Sequence, residues 1–102
     1  MSDTKPVMSH SADGSLIDAI RIDEQDNVAT CLHDIERGED VTVMLGRDTH
    51  TVTATDAIPR GHKLAMRNID VGEKVLKYGE VIGEASAAIG TGNHVHTHNV
   101  VD

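Results

Sequence analysis

At residues 35–41 the sequence reads Ile-Glu-Arg-Gly-Glu-Asp-Val, with an apolar residue at each end and a glycine midway between them. The same spacing recurs at residues 58–64, 69–75 and 89–95. The unequal intervals between copies exclude a solenoid with a fixed period. Because glycine adopts positive φ easily, each copy predicts a tight turn that returns the chain to a strand. Four such turns in one small chain indicate an all-β fold with many reversals.

The composition and the period of two between the turns predict short strands. Val, Ile and Thr make up 28 of the 102 residues, and β-branched side chains favour pleated sheet over helix. The alternating residues predict strands at 16–23, 27–32, 41–45, 49–55, 62–67, 80–85 and 94–101. Residues 46–48 are expected to close a hairpin. Residues 83–89, which are rich in Ala, are the only segment for which a helix is the alternative to a strand, but the segment is short and flanked by glycine.

The chain length and the single cysteine limit the domain organisation and the compartment. We expect one domain at residues 16–102 after a disordered lead-in at residues 1–15, which is rich in Ser, Asp and Lys. Cys31 is the only cysteine, so no intrachain disulfide can form. No apolar run has the length of a signal peptide or of a membrane span. These features predict a cytoplasmic protein.

The charge balance limits the classes of partner. The net charge of −8 argues against binding to nucleic acid or to anionic membrane, because both depend on clustered Lys and Arg. A protein partner is therefore expected.

Residues 93–99 read Asn-His-Val-His-Thr-His-Asn, the most unusual segment of the chain. Alternate residues of a strand share a face, so His94, His96 and His98 are expected in one row. Neighbours in the row would lie about 6.5–7 Å apart at Cα, which lets two imidazoles reach one divalent metal. We predict His94 and His96 as these ligands, with the others from another element or chain. The alternative is that the three histidines are only polar residues on a solvent-facing strand, with no chemical role.

Gly61-His62-Lys63 is a second candidate for chemistry, because a proton-transfer group and a cation stand side by side. Adjacent strand residues point to opposite faces, so both serve one pocket only if the turn redirects one of them. An exposed polar turn is the alternative interpretation. Tyr78 is either a rim residue or a large residue that fills the core.

Four short motifs, taken in order, resemble a known family. They are Asp26-Asn27-Val28-Ala29, Ile58-Pro59-x-Gly61-His62-Lys63-x-Ala65, Tyr78-Gly79-x-x-Ile82-Gly83-x-Ala85 and Gly92-x-His94-Val95-His96-x-His98-Asn99. Together they resemble the amino-terminal SAF domain of the altronate/galactarate dehydratase family, from about residue 20 onward. The resemblance implies a SAF-type β-clip, a small fold of short, mostly antiparallel strands with many tight turns, at residues 16–102.

The resemblance also implies an activity, a cofactor and a partner. Members of this family are hydro-lyases that dehydrate a sugar acid or, in one branch, sulfo-lyases that act on sulfolactate, commonly with Fe²⁺ or Mn²⁺. The chain resembles the separate small subunit found in some members. A large catalytic lyase subunit and a small hydroxy acid are therefore the expected partners. We expect no activity from the chain alone, and homo-oligomer formation stays open.

The resemblance further implies roles for individual residues. For such a reaction we predict proton transfer or protonation of the leaving group by His62, pairing of Lys63 with the substrate carboxylate, and metal binding by His94 and His96. Substrate contacts are implied for His98, Asn99 and Tyr78. Two other hypotheses remain: a stand-alone SAF module that binds a metal or sugar acid, and a structural subunit that stabilises a large catalytic partner.

Overall fold

A computed structural model describes residues 16–102, and nine short strands lie in that range. They are β1 (Ala19–Arg21), β2 (Val28–Cys31), β3 (Asp40–Leu45), β4 (Asp48–Thr53), β5 (Lys63–Ala65), β6 (Lys74–Lys77), β7 (Glu80–Ala85), β8 (His94–Val95) and β9 (Val100–Val101). Within this range there is no helix, and so none that could cross a membrane. The predicted lead-in at residues 1–15 lies outside the described residues.

The strands form two sheets. Six strands pair in the order β4-β3-β1-β2-β5-β8, and three pair in the order β6-β7-β9. Every pairing is antiparallel except that of β1 with β3. This arrangement confirms the prediction of an all-β fold of short, mostly antiparallel strands.

The four glycine turns associate in two pairs. Ile35 and Ile58 exchange two backbone hydrogen bonds of 2.8 and 2.9 Å, and Ile69 and Ile89 do the same. The central glycine of each turn has φ between 84° and 88°. Each of these glycines donates its N–H to the strand that leads into the partner turn: Gly38 to Ala54, Gly61 to Cys31, Gly72 to Ala85 and Gly92 to Ala65.

The paired turns divide the fold into a first half, residues 28–64, and a second half, residues 65–101. Most buried apolar residues of each half belong to one of two clusters. The two clusters meet at the β2–β5 pair, where Ala29 and Leu64 face the first cluster while Val28 and Ala65 face the second. Adjacent strand residues point to opposite faces, so this one ladder serves both cores.

Cys31 belongs to the first cluster and is 1% exposed. Burial, together with the nearby carboxylates of Asp18 and Glu39, raises the pKa of its thiol to about 12. The thiol therefore stays neutral and acts as a small apolar core residue.

Several strand boundaries differ from the predicted ones. The predicted strands at 16–23 and 62–67 shorten to β1 and β5, and β6 was not predicted at all. The β3–β4 hairpin closes through Gly46 and Arg47 alone, because Leu45 already pairs with Asp48. The predicted strand at 94–101 is wrong beyond Val95: the chain turns at residues 96–99 and resumes as β9. No helix forms at residues 83–89, as expected.

The side chain of Asn99 explains the break in the strand at 94–101. Its Oδ1 accepts a hydrogen bond from the backbone N–H of His96 (3.0 Å), and its Nδ2 donates to the carbonyl of His94 (2.9 Å). Asn side chains compete for backbone groups in this way and favour turns over continued strands. Asn99 is 7% exposed, so the hydrogen bonds that close this loop are sheltered from water.

Candidate functional site

Three histidines meet where the second turn lies beside the fourth. β5 and β8 pair with Lys63 opposite Val95 and Leu64 opposite His94. Continuing that antiparallel register by one residue sets His62 opposite His96. Residues that face each other across an antiparallel pair lie on the same side of the sheet. The long-range pairing of two short strands therefore brings His62 to the His94–His96 segment.

His62, His94 and His96 form a compact group, called the His cluster below. The rings of His62 and His96 stack with centroids 3.7 Å apart and planes inclined by 10°. Nδ1 of His62 and Nε2 of His94 are hydrogen-bonded at 2.8 Å. One nitrogen of each of the three rings lies within 4.8 Å of the other two.

Neighbouring polar groups fix the start of β8. The carboxylate of Asp56 accepts the backbone N–H of His94 at 3.0 Å. Thr55 donates its N–H to the carbonyl of Gly92 (2.9 Å) and its hydroxyl to Oδ1 of Asn93 (2.6 Å). These contacts, with the loop closed by Asn99, hold the His94–His96 backbone from both ends.

The surroundings of His94 and His96 favour the neutral form of their imidazoles. Burial lowers the pKa of His94, and the neighbouring His98, His62 and His96 lower it further against the opposing effect of Asp56. The pKa of His96 is also lowered, by desolvation first and then by His62, Lys63 and His98. A neutral imidazole is the form that binds a metal.

The donor set fits a divalent cation. Nδ1 of His96 is buried and has no hydrogen-bond partner among the described residues. A tetrahedral site with metal–nitrogen bonds of about 2.05 Å sets its ligand nitrogens about 3.4 Å apart. The observed separations, from 2.8 Å to at most 4.8 Å, bracket that value. Small rotations of the rings would therefore complete a site for Fe, Mn, Zn or Co, all of which accept imidazole.

A second group of potential ligands, Asp18, His33 and Glu39, lies in and beside the first half. There both ring nitrogens of His33 face acceptors: Nε2 lies 2.8 Å from the Asp18 carboxylate, and Nδ1 lies 2.9 Å from the carbonyl of Asp34. Neither nitrogen is left to bind a metal. The Asp18–His33 contact is therefore a buried structural pair, and the His cluster is the better metal site.

Two depressions flank the His cluster. One of about 390 Å³ includes His94 in its wall, and the other, of about 180 Å³, has both Lys63 and His96 in its wall. Lys63 is half-buried, and burial followed by the charge of Lys77 lowers the pKa of its ammonium group. The smaller depression thus offers a cation beside the imidazoles, a combination suited to a carboxylate that carries a neighbouring hydroxyl.

The other predicted site residues lie in different settings. His98 is exposed, with its ring centroid 4.9 Å from that of His94. Asn99 uses its side-chain amide to close the loop, as described above. Tyr78 is 41% exposed in the β6–β7 turn, where the ammonium group of Lys77 lies 5.0 Å from its ring centroid. Asp56 was missed, because nothing near it in sequence indicates that it meets His94.

Comparison with known proteins places these observations in a family. The profile of the altronate/galactarate dehydratase SAF domain matches residues 17–102. Altronate dehydratase of Escherichia coli K12 is 46% identical over 80 residues, which are 78% of this chain and 15% of that enzyme. The (2R)-sulfolactate sulfo-lyase subunit alpha of Chromohalobacter salexigens is 40% identical over 87 residues, 82% of this chain and 93% of that subunit.

A third relative, galactarate dehydratase (L-threo-forming) of E. coli K12, is 32% identical over 84 residues. The chain thus spans about 15% of the length of the two dehydratases and most of the sulfo-lyase subunit.

Proposed function

The chain belongs to the altronate/galactarate dehydratase SAF domain family, and we propose that it is the small subunit of a lyase that dehydrates a sugar acid of the altronate type. A separate large subunit would supply most of the enzyme. The similarity to a relative named as a subunit alpha supports a two-subunit organisation. The two depressions beside the His cluster are open to solvent, so a partner is needed to exclude water from them.

The observation that carries this proposal is the position of the His cluster beside Lys63. Elimination of water next to a carboxylate needs a base that takes a proton from the adjacent carbon, a proton for the leaving hydroxyl, a cation for the carboxylate and stabilisation of the charge that develops. The large subunit would supply the groups that move these protons. Lys63 would pair with the substrate carboxylate from the wall of the smaller depression. His94 and His96 would hold a divalent metal, Fe²⁺ or Mn²⁺, which when bound supplies Lewis-acid polarisation of substrate oxygens.

A sulfo-lyase subunit that acts on sulfolactate is the second candidate function. The alignment with the sulfo-lyase subunit alpha covers 93% of that subunit, whereas the alignment with altronate dehydratase covers 15% of that enzyme. Both substrates are hydroxy acids that present a carboxylate, so Lys63 and the His cluster would serve either. The leaving group, water or sulfite, distinguishes the two reactions.

The proposal is tested by reconstitution. The chain would be co-expressed with a large lyase subunit of the same family, and the complex assayed with altronate, galactarate and sulfolactate. We expect turnover of altronate by the complex and none by the chain alone. Turnover by the chain alone, or none by the complex with any hydroxy acid, would contradict the proposal. Tight binding of a sugar acid without turnover would instead favour a stand-alone binding module.

A pair of lysine variants tests the role of Lys63 in the same complex. Lys63→Gln should raise KM about tenfold or more with a smaller change in kcat, because the ammonium group is assigned to substrate binding. Lys74→Gln is the matched control: Lys74 is exposed and pairs with Glu84 at 2.9 Å across β6 and β7. Equal KM values for the two variants would remove Lys63 from the site.

A further inference from the structure

We infer that His62 is the third ligand of the metal site, which would then consist of three imidazoles contributed by both halves of the fold. This inference rests on the proposed function only for what the bound metal would do in catalysis. It gives His62 a role other than the proton transfer that the family resemblance implies. It also makes the site one that this chain builds by itself.

The first argument is the distance between His62 and His94. Nδ1 of His62 lies 2.8 Å from Nε2 of His94, so the two nitrogens already point at each other. One of them carries a proton and the other accepts the hydrogen bond. When both bind a metal, the donor ring moves that proton to its other nitrogen, and each ring stays neutral. No further proton acceptor is needed for the exchange.

The second argument is the environment of His96. Its ring stacks on that of His62 at 3.7 Å, yet its Nδ1 is buried with no partner among the described residues. Buried polar atoms are rarely left without a hydrogen bond, and such an exception in a native fold requires an explanation. A metal held by the neighbouring nitrogens would provide one.

The third argument is what surrounds the three nitrogens. The carboxylate of Asp56 accepts the backbone N–H of His94, and no carboxylate belongs to the group of three close nitrogens. Three neutral imidazoles leave the full charge of a divalent cation available to an anionic ligand. The remaining coordination positions would face the depressions lined by His94 and by His96 with Lys63. A hydroxy acid could fill these positions with its carboxylate and hydroxyl oxygens.

A site of three ligands differs from the predicted site of two ligands because it connects the two halves of the fold. His62 lies in the second turn, in the first half, whereas His94 lies in the fourth turn and His96 directly follows it, in the second half. A cation shared by all three links elements that are more than 30 residues apart in sequence. Binding should therefore raise the thermal stability of the chain, since a ligand that binds only the folded state stabilises it.

The test is a titration of the full chain with Co²⁺ alone, followed by the visible absorption of the bound ion. We expect one Co²⁺ per chain and a rise in Tm. His62→Ala, His94→Ala and His96→Ala should each weaken binding by at least about tenfold, as loss of a ligand requires. His50→Ala is the matched control and should bind within about threefold of the wild type, since His50 is exposed and outside the donor set.

Two results would overturn the inference. One is wild-type affinity in His62→Ala when His94→Ala and His96→Ala lose binding, which would leave a site of two ligands. The other is no Co²⁺ binding by the wild-type chain. If His62→Ala fails to fold, ¹⁵N NMR of the wild-type imidazoles with Zn²⁺ decides, because a ligand nitrogen of His62 must shift. Neither measurement involves substrate or a large subunit, so a failure of the proposed lyase function would show separately in the reconstitution assay.

Discussion

The two halves of the molecule share a scaffold and differ at the positions that form the site. Ile35 and Ile58 in the first half correspond to Ile69 and Ile89 in the second, and each pair makes the same two backbone hydrogen bonds. Side-chain contacts repeat as well. Asp34 accepts the N–H of Arg60 at 2.8 Å, as Asn68 accepts that of Thr91 at 2.9 Å; Glu39 and Glu73 close the turns that follow Ile35 and Ile69.

The differences between the halves lie in the second and fourth turns. His62 in the second turn occupies the place of Asn93 in the fourth, and Lys63 that of His94. Gly61 faces open space, whereas Gly92 is pressed against the end of β4 at Thr53. The repeated residues therefore make cores and turns, and the residues that do not match gather at the His cluster. Comparison of the two halves therefore distinguishes the residues that form the fold from those that form the His cluster.

Glycine replacement is expected to give the largest difference between the halves. A Cβ at Gly92 would overlap the backbone carbonyl of Thr53, and its φ of 88° is unfavourable for alanine. We expect Gly92→Ala to lower the free energy of unfolding by more than about 4 kcal/mol and Gly61→Ala, at φ 84° in open space, by about 1–2 kcal/mol. Urea denaturation measures both. Equal losses would mean that the contact with Thr53 does not constrain the fourth turn.

Truncation of the equivalent isoleucines should show where the halves are alike. Ile58 is 1% exposed and belongs to the first cluster, and Ile89 is 2% exposed and belongs to the second. Ile→Ala at either position removes buried methyl and methylene groups and leaves a cavity, which costs about 2–5 kcal/mol. We expect the two losses to agree within about 1 kcal/mol. A much smaller loss for Ile89→Ala would show that the second core is the looser one.

The Asn27 side chain, which connects the start of β2 to β6, is expected to give the next largest effect. Asn27 is 1% exposed; its Oδ1 accepts the N–H of Leu76 at 2.8 Å and its Nδ2 donates to the carbonyl of Lys74 at 2.9 Å. Asn27→Ala leaves these two backbone groups without partners, so we expect a loss of about 2–3 kcal/mol in unfolding free energy. Asn68→Ala is the exposed control and should cost about 1 kcal/mol or less. Similar losses would deny Asn27 its role in joining β6 to β2.

The sequence predicted the local features of this fold well, because they depend on local chemistry. The Ile-x-x-Gly spacing indicates a turn since only the glycine tolerates positive φ, and all four turns form. The strand at 80–85 is confirmed to the residue. β6 escaped prediction because its hairpin turns through Tyr78 and Gly79, both with positive φ, and tyrosine lacks the signal that Asn or Asp gives in such turns.

The candidate site was harder to predict, because long-range pairing assembles it. A row of alternating histidines indicates a continuous strand, yet Asn99 captures the backbone of His94 and His96 and turns the chain. The meeting of His62 with His96 follows from the register of β5 on β8. That register depends on residues 30 positions apart, and no local pattern contains it. The repeated spacing in the sequence indicates four similar turns, but it does not indicate which turns pair with each other.

The smallest expected effect is the change of stability with pH. It concerns His94, which occupies in the second half the place that Lys63 has in the first. The pKa of His94 lies below its usual value because burial, and then the neighbouring imidazoles, disfavour the charged ring. In the unfolded chain the same group titrates near the ordinary value of about 6.5. As the pH falls through that value, the unfolded chain binds the proton first, so the stability of the metal-free protein should decline. His96 acts in the same direction.

This decline can be separated from acid effects on carboxylates. The pKa of Asp26 is lowered because backbone hydrogen bonds, from Gly79 above all, outweigh the opposing effect of burial, and that of Glu73 is lowered by Arg67. Their stabilising contribution is lost only below about pH 4.5, since their usual pKa values are near 4. With a chelator present, Tm should fall between about pH 7.5 and 5.5 in the wild type and in His50→Ala, and fall less in His94→Ala. A wild-type Tm that stays constant over this interval would show that the His cluster accepts protons as readily as an unfolded chain does, and the electrostatic difference between the halves would then be absent.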